Sequence, residues 1–186
     1  MHIQPKEMKQ YPFYLRYVFQ YQKKKQGFVL YPPMLWGRVP FLLILFTLFW
    51  NFLDRKKSVL DPVLRSIVQV RVAQVNSCEF CIDYNVMNLL KRTGSLNKLD
   101  HLPEWQKSDN FTDLEKAAIE YAEGMSKTNV KISDGLMDSL KKFLSEDQIV
   151  ELTALIAFQN MSAKFNAALG IPSQGMCKIS NKNENA

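Results

Sequence analysis

Two cysteines, Cys78 and Cys81, stand three residues apart in the chain. The residues around them predict a helix that begins at Asn76, because Glu79 occupies the position of a capping-box acid. Cys78 then falls in the first turn, where unpaired backbone N–H groups and the positive end of the helix dipole stabilise a thiolate. Cys81 lies one turn further along the same face, so the two sulfurs could join or exchange. The pattern favours redox chemistry over its alternatives, an ordinary buried pair of cysteines or a disulfide incidental to function.

Structural zinc is the other common use of a C-x-x-C pair, and such a site needs four ligands. The remaining histidines and the third cysteine are His2, His101 and Cys177. None of them stands at a ligand spacing from the pair, so we predict no metal. Cys177 is interpreted as a spare thiol, since three cysteines are too few for a disulfide scaffold.

The composition fits one globular domain with an extension: 186 residues, 47% apolar and 23% charged, with a net charge of +6. It excludes a disordered acidic chain. The basic residues form short clusters at the ends of apolar segments, without a continuous stripe, so we expect no nucleic-acid partner. The first ten residues lack the apolar core of a signal peptide, and the expected localisation is cytoplasmic.

The elements that must position the cysteines are predicted to be helices, because no segment alternates as a strand does. The fold class is therefore all-α. Caps and breakers place helices near 39–53, 61–75, 76–94, 112–125, 133–143 and 145–169, after an aromatic-rich helix that ends at Gly27. We divide the chain into an N-terminal helical extension (1–57), a main helical domain (58–177) and a flexible tail (178–186).

The most apolar helix is predicted at 39–53. Its length of about 22 Å is less than the roughly 30 Å of a bilayer's hydrocarbon core. We therefore predict a helix buried in the protein or at a subunit interface and no membrane contact. A membrane-associated segment is the alternative, since Lys and Arg flank the run. The clustered aromatic residues also predict a homo-oligomer.

Arg71 lies near the middle of the apolar arc of helix 61–75 on a helical wheel. Arg65, Ser66 and Gln69 lie on the opposite face, which is predicted to be solvated. An arginine in the place of Arg71 either extends along the core or pairs with an acid. It is therefore either half of a structural ion pair or a residue that supports thiolate charge near Cys78.

The cysteine segment 70–90, VRVAQVNSCEFCIDYNVMNLL, resembles the alkylhydroperoxidase D-like (AhpD-like) branch of the carboxymuconolactone decarboxylase family, in which C-x-x-C opens a helix after a short turn. The segment 151–177, ELTALIAFQNMSAKFNAALGIPSQGMC, resembles the closing helix and tail of that branch. The resemblance covers about residues 58–177. It implies an AhpD-like helical bundle that assembles as a trimer, or as a hexamer of two trimers.

The resemblance also implies a thiol-dependent peroxidase. By analogy, Cys81 attacks a peroxide oxygen and becomes a sulfenic acid, and Cys78, the more exposed thiol, then forms the disulfide with it. No bound cofactor is expected. The reductant would be an external dithiol, either a lipoyl group on a partner protein or a thioredoxin-like protein. The true lactone decarboxylases of the family lack the cysteine pair, so decarboxylation is not expected.

Two departures from the family pattern concern its proton relay. The family's histidine, one turn after the second cysteine, is replaced by Asn85, and the region of its upstream glutamate offers Arg65 and Ser66. Asparagine cannot carry a proton at neutral pH, although it can orient a water or a sulfur. The replacement candidates are Asp83 and Tyr84, followed by Glu120 and Tyr121. For Asp83 the alternative is a solvated surface acid.

Three functions remain open on these residues. The first is an antioxidant (alkyl) hydroperoxide reductase that cycles Cys78 and Cys81 between dithiol and disulfide. The second is a dithiol–disulfide reductase for a partner protein. The third is a non-catalytic redox-sensing module in which the disulfide tunes stability.

Overall fold

The structure is a computed structural model that describes residues 1–176; Cys177 and the predicted tail 178–186 lie outside the described residues. Every regular element in 1–176 is helical, which confirms the all-α prediction. Two short 3-10 turns accompany α1 (Phe13–Gln26), α2 (Tyr31–Trp36), α3 (Pro40–Leu53), α4 (Pro62–Val75), α5 (Glu79–Thr93), α6 (Asn97–His101), α7 (Asp113–Ser126), α8 (Asp134–Lys141) and α9 (Glu146–Ala168).

The central helix is α4, which packs against α5, α7 and α9. Its apolar arc meets α7 and α9 through Val68 and Val72, both completely buried. The prediction of a solvated face on α4 is wrong, because Arg65, Ser66 and Gln69 are only 3%, 1% and 2% exposed. This second face is covered by α5 and by the end of α3. Ser66 accepts a hydrogen bond from Arg92, and Arg65 donates to the backbone oxygen of Leu53.

The helix starts follow the predicted caps. The Asp61 carboxylate accepts hydrogen bonds from the first free N–H groups of α4, and Pro62 takes the first helical position, where no N–H is needed. Capping boxes join Thr112 to Glu115 at α7 and Ser145 to Gln148 at α9. These local bonds fix where the core helices begin, independently of tertiary packing.

The extension 1–57 lies against α9 through aromatic contacts. The ring of Trp36 stacks on Phe165 with centroids 3.8 Å apart, and Phe46 and Trp50 of α3 both contact Phe158. Among residues 1–176, no helix combines the length and the apolarity required to cross a membrane.

The outer faces of α1 and α3 leave large apolar side chains exposed, and we call them the apolar surface. Leu43 and Leu53 are the buried positions of α3, whereas most of its other side chains are exposed in the single chain. The apolar surface comprises Phe13, Tyr17, Val18, Tyr21, Phe41, Leu42, Leu45, Leu48, Phe49 and Phe52.

Candidate active site at the Cys78–Cys81 disulfide

The turn between α4 and α5 places the cysteine pair. Asn76 ends α4, and Ser77 adopts a left-handed conformation with φ of 51°. The N–H of Cys78 then donates to the carbonyl oxygen of Ala73, so α5 begins at Glu79 with Cys78 as its N-cap. The predicted start at Asn76 is therefore wrong, because residues 76 and 77 are used to close the preceding helix. The correction moves Cys78 to the cap itself, where its sulfur faces the free N–H groups.

Cys78 and Cys81 are joined by a disulfide, with their Cα atoms 5.2 Å apart. The backbone N–H of Cys81 donates to the sulfur of Cys78 over 3.3 Å. Both residues are buried, Cys78 at 1% exposure and Cys81 at 3%. The expectation that Cys78 is the more exposed thiol is thus wrong. Apolar side chains pack over the pair from both ends of the chain, among them Ile171 and Met176.

A cavity of about 400 Å³ lies beside the disulfide, between α1, α3, α5 and α9. Cys81 is part of its wall, whereas Cys78 is not. Most of the lining is apolar, and aromatic rings of Phe46, Trp50, Phe80 and Tyr84 form much of it. Cavities of this size and apolar character hold small organic molecules. The sulfur that a small molecule could reach is therefore that of Cys81.

One stretch of the cavity wall is polar and surrounds Cys81. The Nδ2 of Asn166 donates to the sulfur of Cys81 over 3.3 Å. The Nδ2 of Asn85 donates to the backbone oxygen of Gln69 over 3.4 Å. The Oδ1 atoms of Asn85 and Asn166 are buried without a hydrogen-bond partner. Gln159 and Ser162 complete this stretch.

The sequence interpretation missed Asn166 as a site residue. The signal was present, since Gln159, Ser162 and Asn166 recur at helical spacing along one face of α9. Asn160, six residues before Asn166, lies on another face of α9. Its side chain binds Asn76 and Ser126 and so supports the turn before the cysteines.

Tyr84 is the sequence-predicted relay candidate that the structure places on the cavity. Its ring stacks on Phe80 and meets Trp50 edge-on, each with centroids 6.1 Å apart. Burial raises the pKa of its hydroxyl above the ordinary value, despite a hydrogen bond with Asn88 that acts in the opposite direction. Tyr84 therefore stays protonated at neutral pH, where it could donate a proton but not accept one.

Asp83 does not line the cavity, and its carboxylate instead binds residues 173–176 after α9. Its Oδ2 accepts hydrogen bonds from the Ser173 hydroxyl at 2.8 Å and from the backbone N–H groups of Gln174 and Met176 at 3.1 and 2.9 Å. The residue is 9% exposed, so the solvated-acid alternative is wrong. We call residues 171–176, which Asp83 fixes, the C-terminal strap. Gln174 also binds the backbone of Val29 and Tyr31 and so ties the strap to the extension.

Arg71 forms an ion pair with Glu123 of α7, with 2.6 Å between Nη2 and Oε1. Burial alone would raise the pKa of Glu123, but hydrogen bonds from Trp105 and Arg71 outweigh it, and the pKa lies below its ordinary value. Glu120 is exposed, and the hydroxyl of Tyr121 is hydrogen-bonded to that of Thr153. None of these residues lines the cavity in the described part of the chain.

The fold and the site together define an all-helical thiol protein whose C-x-x-C disulfide caps a helix beside an apolar cavity. The sequence profile of the carboxymuconolactone decarboxylase family matches residues 42–124. The protein YnjA of Escherichia coli (strain K12) is 44% identical over 171 residues, which are 92% of this chain and 94% of YnjA. The chain belongs to the carboxymuconolactone decarboxylase family.

Solved structures share the fold over nearly the whole chain. The alkylhydroperoxidase AhpD core protein of Ralstonia eutropha JMP134, described as peroxidase-related, superposes with a TM-score of 0.81 at 17% identity and covers 94% of this chain and 93% of its own. A variant of the debrominase Bmp8 bound to 2,3,4-tribromopyrrole gives a TM-score of 0.81 at 20% identity, covering 98% and 97%. The AhpD-like helical fold is therefore confirmed.

Proposed function

We propose that this protein is a thiol-dependent reductase of organic hydroperoxides that cycles Cys78 and Cys81 between dithiol and disulfide. The observation that carries the proposal is the placement of Cys81 in the wall of an apolar cavity, with its partner sulfur buried behind it. The peroxidase-related protein with the same fold supports this activity.

The reaction runs in two steps on the dithiol form. The Cys81 thiolate attacks the terminal peroxide oxygen, the O–O bond breaks, and the alkoxide takes up a proton to leave as an alcohol. The Cys78 thiolate then attacks the Cys81 sulfenic acid, forms the S–S bond and releases hydroxide, which is protonated to water. The N-cap position favours a thiolate at Cys78, because its sulfur accepts the N–H of Cys81 and faces the positive end of the helix dipole.

The proton for the leaving alkoxide comes from Tyr84 in this proposal. Of the cavity-lining residues within 1–176, none is a carboxylate or a histidine. Tyr84 is half-buried and stays protonated at neutral pH, and a phenol is a stronger acid than the alcohol that leaves. Asn85, in the place of the family's histidine, contributes hydrogen bonds only.

The reductant is an external dithiol on a slender arm, such as a lipoyl group carried by a partner protein. When a sulfur of this dithiol attacks Cys81 through the cavity, Cys78 leaves as a thiolate, which is stabilised at the helix cap. A thioredoxin-like protein would have to bring its own sulfur to an atom that is almost fully buried. The same burial counts against a disulfide reductase for partner proteins.

A second candidate reaction is reductive dehalogenation, which the cavity favours through its aromatic lining and which a protein of the same fold carries out. Cys81 would take the halogen from a halogenated aromatic ring, and the ring carbon would gain a proton. Cys78 would then expel halide as the disulfide forms. As in peroxide reduction, the two cysteines supply two electrons when they form the disulfide.

The test is consumption of cumene hydroperoxide with dihydrolipoamide, thioredoxin or dithiothreitol as reductant, in parallel with halide release from brominated phenols. We expect turnover with dihydrolipoamide in the wild type and none in Cys81→Ser. In the absence of reductant, Cys78→Ser should stop after one equivalent with Cys81 as a sulfenic acid, and with reductant present Cys177→Ser should behave as the wild type. If neither substrate is turned over, the proposed enzymatic activity is wrong and the redox-sensing module is the remaining function. If the protein reduces only a protein disulfide, the result favours a disulfide reductase for a partner protein.

A further inference from the structure

The polar stretch of the cavity carries two acceptors that nothing in the protein satisfies. Asn85 is 2% exposed and Asn166 1%, and the Oδ1 of each is buried without a partner. Both residues line the cavity, Asn85 from α5 and Asn166 from α9. Buried amide oxygens are nearly always hydrogen-bonded in folded proteins, because an unmade bond is costly.

Each side chain already donates one hydrogen bond through its Nδ2, which sets the end of the amide that faces that partner. Asn166 donates to the sulfur of Cys81, and Asn85 donates to the backbone of Gln69. The amide groups are thus held with their oxygens free. A ligand in this part of the cavity lies beside two amides whose acceptors are unused, close to Cys81, in a largely apolar wall that includes Trp50 and Phe80.

We propose that the natural substrate is an aromatic molecule that carries its own O–H or N–H donor close to the atom attacked by Cys81. The ring packs against the aromatic wall, and the donor binds Asn85 and Asn166. This inference rests on the proposed function for the identity of the attacking sulfur. It adds a substrate class, phenol-like or N–H-bearing arenes, to a reaction that by itself requires only a hydroperoxide or a halide.

The test uses binding in place of turnover, so that its failure is separate from failure of the proposed function. The full chain in its oxidised form, with the Cys78–Cys81 disulfide intact, is titrated with phenol, anisole and toluene, and binding is followed by NMR. The three probes have similar size, but only phenol can donate. A plain apolar cavity binds toluene best, because toluene is the least hydrated. We expect phenol to bind about tenfold more tightly than either of the others.

Variants of the oxidised protein assign the preference to the two amides. Asn85→Leu and Asn166→Leu each remove an oxygen at similar volume and should abolish most of the preference for phenol. Asn85→Asp retains an acceptor and should preserve it. The control, Asn51→Leu, makes the same change on an exposed part of α3 outside the cavity and should have no effect.

Two results would overturn the proposal. One is equal binding of the three probes, or tighter binding of toluene, which would mean that water satisfies the two oxygens. The other is a phenol preference that persists in both leucine variants. Circular dichroism and thermal unfolding show which variants are folded, and Asn85→Asp provides a readout if a leucine variant is not.

Discussion

Asn166 and Cys81 lie 85 residues apart in the sequence, and the side-chain amide of one donates a hydrogen bond to the sulfur of the other over 3.3 Å. The bond joins α9 to the first turn of α5 at the point where the cavity reaches the disulfide. Hydrogen bonds to an ionised acceptor are stronger than those to a neutral one. The contact therefore gains strength when the disulfide is reduced and Cys81 becomes a thiolate.

Replacing Asn166 should make Cys81 a weaker nucleophile. In a Cys78→Ser, Cys177→Ser background, Asn166→Leu removes the donor, and we expect alkylation of Cys81 at neutral pH to slow about tenfold. The pH profile of iodoacetamide reaction measures the effect, with Asn51→Leu as the matched control. An unchanged profile would show that the amide does not act on the thiolate.

Tyr84→Phe keeps the ring in the cavity wall and removes the proposed proton donor. We expect the rate of cumene hydroperoxide reduction to fall about 100-fold, with little change in KM. Burial raises the pKa of Tyr84, so the wild type keeps its acid well into the alkaline range and loses activity only as the pH rises through that pKa. The variant should lack this alkaline limb. A wild-type rate in the variant would assign the proton to water.

Asp83→Asn should loosen the C-terminal strap. One carboxylate oxygen accepts three hydrogen bonds from the strap, and an amide accepts them less well. We expect the free energy of unfolding in urea to drop by about 2 kcal/mol, and reduced Cys78 to be alkylated faster. The control is Asp138→Asn on the exposed face of α8. Stability and alkylation at wild-type values would mean that the strap is held by apolar packing alone.

Arg71→Met tests whether Arg71 is structural. We expect a loss of about 2 kcal/mol in unfolding free energy, because Glu123 remains buried with only part of its compensation. The alkylation profile of Cys81 should not move. Lys141→Met, an exposed site, is the control. A shift of alkylation to higher pH would restore the alternative in which Arg71 supports the thiolate.

The same ion pair has a pH dependence. The pKa of Glu123 is lower in the folded protein than its ordinary value, so the ionised carboxylate contributes to the free energy of unfolding at every pH above the ordinary pKa. It is lost as the pH falls through the folded pKa. The difference in stability between the wild type and Glu123→Gln should therefore be largest near pH 7 and shrink in acid. A difference that is constant with pH would contradict the lowered pKa.

The apolar surface predicts a homo-oligomer in which another copy covers its α3 side chains, and the family resemblance implies a trimer or a hexamer. Leu48→Lys places a charge at a position that is 62% exposed in the single chain and should shift the protein towards monomer. Size-exclusion chromatography with light scattering measures the mass. The control is Val130→Lys, which is 49% exposed and lies outside this surface. A monomeric wild type would count against the oligomer.

The sequence was sufficient to predict features that depend on neighbouring residues. The caps at Asp61 and Ser145 follow from side chains that bind N–H groups within three residues, and those helices begin as expected. Helical periodicity misplaced Arg65 and Gln69, because a helix enclosed on all sides has no wet face. The spacing of polar residues on α9 could mark Asn166 as a candidate, but its hydrogen bond to Cys81 and the contacts of Asp83 join residues more than 80 positions apart, and no local pattern encodes such pairs.

The C-terminal strap has a consequence for how the protein is made. Asp83 and the parts of the cavity wall on α1, α3 and α5 leave the ribosome before Asn166, which donates to Cys81, and before Gln174, which ties the strap to the extension. Until those last residues emerge, the two cysteines lack the cover of α9 and the strap, and Cys81 lacks the Asn166 amide. The enclosed reactive centre therefore exists only after synthesis has passed residue 176.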